Sequence, residues 1–522
     1  MKLNFTRVFA LLAQRFADNE ALLNVERNRR YTYRQLHELS NQIANMMSTK
    51  LGLGEDDRYV LILKNDNLSL LHFWTIMKGR AAAVFTNASD SLAEHLRQIE
   101  FVEPKCVFIE SDMVAAFEGP LKERGVTLVA MDGAPAGTAG VFDFWELVEQ
   151  ASKAEPEVER EVDAQPAFYR FTGGTTGIPK CAGYSYRHFE HLWLNLVCCE
   201  DGIFDARTRM LHLAPLSHAT MFFLPPTFFS GGCNVTQNST DLALWCENVE
   251  QFAIDTSFLV PTLLYRLVDL EEARSRNLSS LRTIAYGGAP MSPAKLGALQ
   301  AGFGNIFVQI YGSTESFCAV TYLSKGDHVE GSARKLESCG RAAVGVELMV
   351  ADEQGRELPH GEVGELWHRH RGVISGYYRN PSATAAEFID GWWKSGDLAR
   401  MGTDGYVIIV DRKKDVIITG GFNVYAVEVE GALCSHPAVL MCAVVGIPHP
   451  EWGEAVLAEV IRRPGADVTA QELAAHVKHS IGNYKAPKEV VFVEHLPVSS
   501  VGKVIRKDVR AKYWQGSCRR VG

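Results

Sequence analysis

The sequence predicts an α/β protein with a large N-terminal region and a smaller C-terminal α/β domain. Three observations support this. Short apolar runs alternate with helical patterns along most of the chain, which is how layered α/β folds read. At 522 residues the chain exceeds what one hydrophobic core usually spans, so two or three lobes are expected. Finally, the composition changes after the charged, turn-like stretch DRKKD that begins at Asp411.

The elements follow in order. Phe5, Val8, Phe9, Leu12 and Phe16 recur at helical spacing and open the chain with an amphipathic helix. RYTY is a short strand candidate. Thr32 and Gln35 then stand at capping-box spacing, before an apolar stripe of Leu36, Leu39, Ile43 and Met46. YVLILK, CVFIE and VTLVAM read as short buried strands, and EPEVEREVDAQPA as a polar spacer. In MLHLAPLSH, TSFLVPTLLYRLV, LRTIAYGGAP and NIFVQIYGSTE, apolar segments deliver small or polar residues at their ends. Open α/β sheets place ligands at such ends. VGVELMVAD, GEVGELWHR and GYVIIVDRKKD read as strands joined by turns. The tail offers a helix in VEVEGALCSHP, strands in AVLMCAVVGIP and AVLAEVIRRP, a second helix, and the strand VVFVEHLP. The expected division is 1–410 and 411–522.

Composition narrows the function classes. A formal net charge of -9 argues against a nucleic-acid scaffold while leaving room for local basic pockets. The 11 cysteines form no Cys-x-x-Cys pair, which favours a reducing compartment and a cytoplasmic location. The adjacent Cys198 and Cys199 are expected to be buried apolar residues. No stretch approaches the length of a membrane span, the N-terminus lacks a signal-peptide core, and SCRRVG is neither a lipidation box nor a peroxisomal address.

The chemistry-bearing stretches begin with TGGTTGIPK, Thr172 to Lys180. It is not the nucleotide loop Gly-x4-Gly-Lys-Ser/Thr, since proline precedes the lysine and Cys181 follows it. Its glycines still let backbone amides turn toward an anion, its threonines donate hydrogen bonds, and Lys180 adds a mobile positive charge. Alone, the loop is equally compatible with a surface turn. In YGSTE, Gly312 permits close approach, Thr314 supplies a hydroxyl and Glu315 can hold magnesium between phosphate oxygens; the same residues would also serve as a helix start. SGDLA puts Asp397 after a tight turn, where a carboxylate can accept both ribose hydroxyls or simply close an Asx turn. Arg412 offers a phosphate or ribose contact, Gly420 and Gly421 a backbone channel, and Lys503 a positive charge in the glycine turn SSVGK.

FTGGTTGIPK, APLSH, YGGAP, QIYGSTE, WWKSGDLA, GYVIIVDRKKDVIITGGFNVYAVEVE and GKVIRK together resemble, in content and order, the motifs of the acyl-adenylate-forming superfamily. That superfamily comprises acyl-CoA synthetases, peptide-synthetase adenylation domains and firefly-type luciferases, and the resemblance covers nearly the whole chain. It implies layered, mostly parallel sheets in the N-terminal region, and a mobile C-terminal domain hinged near Asp411. It also implies ATP, magnesium and coenzyme A as cofactors. By resemblance Thr172, Gly173, Gly174, Thr175, Thr176, Gly177 and Lys180 form the phosphate loop, and Glu315 is the magnesium-side carboxylate. Gly287, Gly288, Ala289 and Tyr311 line the adenine site, with Gly312 and Thr314 also on the cofactor side, and Asp397 with Arg412 binds ribose. Lys503 enters for adenylation, and Gly420 and Gly421 approach the thiol channel after the domain rotates. Gly173, Cys181 and Ala426 depart from the common serine, glycine and proline, and an altered rate is expected from them rather than loss of function.

The implied reaction is attack of a carboxylate on the α-phosphorus of ATP, followed by transfer of the acyl group from AMP to coenzyme A. The segment TMFFLPPTFFSGG lacks the aspartate that holds an amino acid's ammonium group, and Gly312 stands where acetyl-specific relatives carry tryptophan. His218, Phe222, Phe223, Gly287 to Pro290 and the segment from Phe317 are expected on the acid side, with His218 either lining the pocket or structural. A medium-chain or aromatic acid is favoured. The alternatives are loading of a separate acyl carrier protein, a luciferase-like oxygenase, and a nonenzymatic nucleotide-binding protein. Expected partners are the acid and coenzyme A, without nucleic acid or stable membrane insertion; a homodimer is left open.

Overall fold

The computed structural model describes residues 2–135, 137–138, 140–163, 165–172, 178–329, 333–499 and 502–514. The opening helix forms over Phe5–Arg15 and buries Phe9 and Ala13. Helix Tyr33–Thr49 starts at the expected capping box: Thr32 Oγ1 accepts from Gln35 N at 3.3 Å while Gln35 Oε1 accepts from Thr32 N at 2.9 Å. Two orphan amides are thereby satisfied at the point where the apolar stripe begins.

Two large sheets dominate the N-terminal region. A seven-stranded sheet runs in the order Cys181–Tyr184, Phe168–Phe171, Ala82–Phe85, Arg58–Ile62, Cys106–Glu110, Thr127–Met131, Val141–Asp143. It is parallel except at Cys181–Tyr184. A nine-stranded sheet has a parallel centre of Phe307–Tyr311, Thr283–Gly287, Thr256–Leu259, Arg209–His212, Cys233–Thr236 and Glu20–Asn24, with antiparallel strands at both edges. Most residues of these strands are buried, apolar and polar alike, as expected where both faces of a sheet are covered. The main core joins the sheets through Phe85, Phe168, Tyr184, Phe189 and Phe317.

A third, antiparallel sheet contains Glu347–Ala351, Gly364–Arg369, Trp392–Met401, Phe388–Ile389 and Val407–Arg412. The last sheet, built on the long hairpin Val439–His449 and Gly453–Arg462, packs helices Ala426–Ser435 and Ala470–Ile481 around a core of its own spanning Ile417 to Ala486. Asp411, fully buried between the third and last sheets, accepts hydrogen bonds from Ala426 N and, at 3.1 Å, from Arg506 Nη1.

Two sequence expectations are corrected. Cys198 is exposed and Cys199 half-buried, because Cys198 is the C-cap of helix Tyr186–Val197 and lies outside its buried stripe. Asp397 lies within strand Trp392–Met401 rather than beyond a turn; the left-handed bend is at Gly396 inside the strand, at φ 71°. No helix among the described residues is long and apolar enough to cross a membrane.

Candidate active site

The candidate residues gather at the C-terminal ends of parallel strands from both large sheets, where open α/β sheets place ligands. Strands Phe168–Phe171 and Cys181–Tyr184 pair antiparallel with Phe171 opposite Cys181, so Thr172 and Lys180 stand side by side just beyond the paired ends. Thr172 N donates to Lys180 O at 2.9 Å. Gly173, Gly174, Thr175, Thr176 and Gly177 lie outside the described residues.

Strand Thr283–Gly287 ends in two glycines with different reasons for being glycine. A Cβ on Gly287 would meet Ile310 O at 2.0 Å, so the neighbouring strand excludes any side chain. Gly288 has φ +78°, and a Cβ there would meet Lys503 Cε at 2.7 Å and Nζ at 2.9 Å. The lysine from the end of the chain therefore rests on the YGGAP turn, next to Ala289. Its own turn is docked: Thr262 Oγ1 donates to Gly502 O at 2.5 Å, and Ser499 N donates to Lys503 O at 2.8 Å. Burial lowers the Lys503 ammonium to about 8; Arg412 and Arg170 push the same way, and Asp397 opposes them.

In the third sheet, strand register sets Arg412 directly across from Asp397. Tyr311 Oη donates to Asp397 Oδ2 at 2.6 Å, and Arg412 Nε stands 3.5 Å from Asp397 Oδ1. Burial raises the Asp397 carboxyl, while Arg412 and the Tyr311 hydroxyl hold it back toward the charged form. Gly312 has a packing reason of its own: a Cβ would meet Cys318 O at 2.4 Å. Thr314 contributes its carbonyl, which accepts from Tyr184 Oη at 2.7 Å.

Lys180 forms an ion pair with Glu387, on helix Pro381–Glu387. Tyr377 Oη lies 2.6 Å from Glu387 Oε2 and 2.8 Å from Glu315 Oε1, linking lysine, carboxylate, phenol and carboxylate in a row. One phenolic hydrogen cannot serve two carboxylates at once. Burial accordingly pushes the Glu315 carboxyl up, against the lowering effect of the Tyr377 hydrogen bond. Glu315 carries a second carboxylate oxygen, Oε2, beside the one that Tyr377 holds, and a carboxylate oxygen is a ligand that a hard cation takes. The residues present thus fit magnesium.

His218 follows strand Arg209–His212 at the end of APLSH, with Nδ1 3.0 Å from Ser217 Oγ. Burial, reinforced by Arg170 and Lys503, lowers it to about 3. It is therefore a neutral imidazole at pH 7, suited to hydrogen bonding rather than to carrying charge. Phe222 stacks edge-on to Phe317 at 5.2 Å, and Phe223 faces Phe258. Phe317 is fully buried at φ 44°, a conformation unusual for a bulky residue and held here by Phe168, Tyr184 and Phe189. The Gly420–Gly421 turn, at φ 57° and 82°, packs beside Trp452 in the last sheet. No contact among the described residues joins it to Lys503, Asp397 or Tyr311.

Three residues escaped the sequence reading. Tyr377 and Glu387 gave no local signal, since Glu387 lies 207 residues from Lys180. Arg170 did give one: it is the single charge in strand FYRF. It alternates with Tyr169 and Phe171 and so shares the face of Phe168, which points into the gap between the sheets. Arg170 is only 6% exposed, and its guanidinium finds no hydrogen-bond acceptor among the described residues. Its electrostatic neighbours are Tyr184, Glu315, His218 and Lys503.

Comparison with known proteins agrees with this geometry. Residues 9–378 match the AMP-binding enzyme family, and residues 428–503 match the AMP-binding enzyme C-terminal domain. The chain is 39% identical over 387 residues to the medium/long-chain-fatty-acid–CoA ligase FadD8 of Mycobacterium tuberculosis, covering 72% of this chain and 67% of that protein. It is 37% identical over 345 residues to a feruloyl-CoA synthase of an Amycolatopsis species, covering 66% and 69%. The crystal structure of ATP-bound MatB from Rhodopseudomonas palustris superposes with a TM-score of 0.86 at 27% identity, over 97% of this chain and 99% of that one.

Proposed function

Since the chain belongs to the AMP-binding enzyme family and is an acid-thiol ligase of the acyl-CoA ligase kind, we propose that it activates a medium-chain or aromatic carboxylic acid with ATP and transfers the acyl group to coenzyme A. The observation that carries this reading is Lys503, delivered by the far end of the chain onto Gly288, within electrostatic reach of Asp397, Arg412 and Arg170.

In the first step the acid's oxygen attacks the α-phosphorus, forming a P–O bond and breaking the bond to pyrophosphate. The obstacle is bringing two anions together while charge builds on the phosphoryl oxygens. Lys503 Nζ meets that charge from the Gly288 side. Lys180 meets it from just before strand Cys181–Tyr184 once phosphate competes with Glu387. Asp397 accepts from the ribose hydroxyls, with Tyr311 and Arg412 fixing its two oxygens. Glu315 would hold magnesium, which supplies charge neutralisation when bound. Arg170 receives the acid's carboxylate: it is a buried cation with no acceptor of its own, and a carboxylate matches the guanidinium fork. In the second step the thiol sulfur of coenzyme A attacks the acyl carbon, AMP leaves, and the thiol proton is released. The aromatic residues Phe222, Phe223 and Phe317 support an apolar acyl group.

The test is to measure AMP, pyrophosphate and acyl-CoA with ATP, magnesium, coenzyme A and a panel of short, medium, long and aromatic acids. Stoichiometric AMP and thioester with a medium-chain or aromatic acid is the expected result. Pyrophosphate release without thioester would replace coenzyme A with another acceptor, such as a separate carrier protein. Release of neither product across the panel would overturn the ligase reading.

A further inference from the structure

Behind the acid side of the site, one helix, one strand and the segment after Glu315 bring four histidines and a cysteine together. Helix Tyr186–Val197 supplies His188 and His191, three residues apart and both buried. His368 lies in strand Gly364–Arg369 and His370 just beyond it, two residues on. Cys318, with no exposure, sits three residues after Glu315. The His191 and His370 rings stack at 5.1 Å and 16°, and His368 stacks on His370 at 5.1 Å and 19°. Cys318 Sγ lies 3.6 Å from His370 Nδ1 and 3.8 Å from Nε2.

This cluster is unsatisfied. His191 Nε2, His188 Nε2 and both ring nitrogens of His368 are buried without a hydrogen-bond partner among the described residues. Buried polar atoms ordinarily have partners, so orphaned imidazole nitrogens in one cluster need a physical account. For His191 Nε2, an ion bound through its lone pair gives one.

We propose that His191, Cys318 and His370 bind one borderline-soft divalent ion of the zinc class. One ligand atom from each of the three lies within 4.8 Å of the others. Zinc–nitrogen and zinc–sulfur bonds of about 2.1 and 2.3 Å at a tetrahedral angle place nitrogen and sulfur roughly 3.5 Å apart, close to the observed spacing. His370 Nδ1 now accepts from Gly372 N at 3.1 Å, and ligation through that atom exchanges one hydrogen bond for a metal bond. Arg187 and Arg371 stand near His191 and oppose a cation. The thiol must therefore lose its proton on binding, and the resulting thiolate offsets part of the ion's charge. Because Cys318 also carries the carbonyl that faces Gly312, the ion would brace the stretch running from Glu315 to Phe317.

The experiment uses the full chain, stripped with a chelator and titrated with Zn²⁺ or Co²⁺ alone. The readouts are bound metal per chain, the thiolate-to-cobalt charge-transfer absorption, and the melting temperature. One ion per chain, a thiolate band and a raised melting temperature are expected. Cys318→Ser should remove the band and weaken Zn²⁺ by more than about 100-fold, beyond what losing a second-shell partner costs. Cys198→Ser, which changes an exposed cysteine, should alter nothing. If Cys318→Ser does not fold, His191→Gln is read for the same loss of affinity. No stoichiometric ion in the wild-type chain, or the same band and stoichiometry in the folded variants, would overturn the proposal.

Discussion

Arg170→Leu gives opposite expectations for binding and for stability, which makes it a sharp test of the site. The unliganded protein holds this guanidinium almost fully buried with no acceptor among the described residues, so replacing it breaks no ion pair. What it removes is the cost of keeping a charge out of water, and burial is the first cause of its lowered pKa. The melting temperature of the free protein should hold or rise. Binding should move the other way. Truncating one partner of a buried charged pair costs about 2–5 kcal/mol. Taking about 3 kcal/mol, and a tenfold change per 1.36 kcal/mol, kcat/KM for the acid should fall on the order of 100-fold. The KM for ATP should change far less. Acid-dependent ATP–pyrophosphate exchange and a thermal melt of the same preparation read both quantities. Arg170→Lys, which keeps the charge and loses the fork, should fall between the two. A variant that melts lower and activates the acid within about threefold of wild type would refute the reasoning, because Arg170 would then be a structural residue.

Three further outcomes follow from the site. Adenylation needs the cationic form of Lys503, which is lowered to about 8. Activity should therefore be complete below that value, and kcat/KM should fall above it with a slope approaching tenfold per unit, as a free-enzyme ionisation does. In Lys503→Arg any residual activity should lose this limb, because arginine stays charged; a limb near 8 that persisted would assign it to another group. Gly288→Ala puts a methyl where Lys503 Cε and Nζ lie, at a left-handed φ. Its adenylation rate should drop at least tenfold, a loss of about 1.4 kcal/mol, while thioester formation from supplied acyl-adenylate stays near wild type; equal loss in both half-reactions would count against it. Tyr377→Phe removes the hydroxyl that stands between Glu315 and Glu387. Adenylation should slow roughly tenfold, at about 1–1.5 kcal/mol for the hydrogen bond, with a changed magnesium dependence; an unaltered magnesium titration would detach this row from the cation.

Much of this was legible in the chain because it is local. The capping box at Thr32 and Gln35, the helix over Phe5–Arg15, and the strands ending at YGG and QIY depend on neighbours within a few residues. The α/β layering and the parallel sheet centres agree with the fold the motifs implied. What the sequence hid is long-range. Nothing near Lys180 announces Glu387, and no spacing rule sets His191 beside His370. Asp397 was misplaced onto a turn because Gly396 is a turn signal, yet the strand accommodates it as a bend. Cys198 was misread because a cysteine at a helix end follows the cap rather than the apolar stripe.

The position of Lys503 along the chain has a consequence for synthesis. Every other charged group of the proposed adenylation site stands at or before Arg412, and the lysine that completes it comes 91 residues later. A growing or prematurely ended chain can thus form much of the nucleotide site while lacking the charge that promotes reaction. It would hold ATP without consuming it and would release no reactive anhydride into water. Placing that lysine after every other charged group of the proposed site makes its arrival a condition for starting the chemistry.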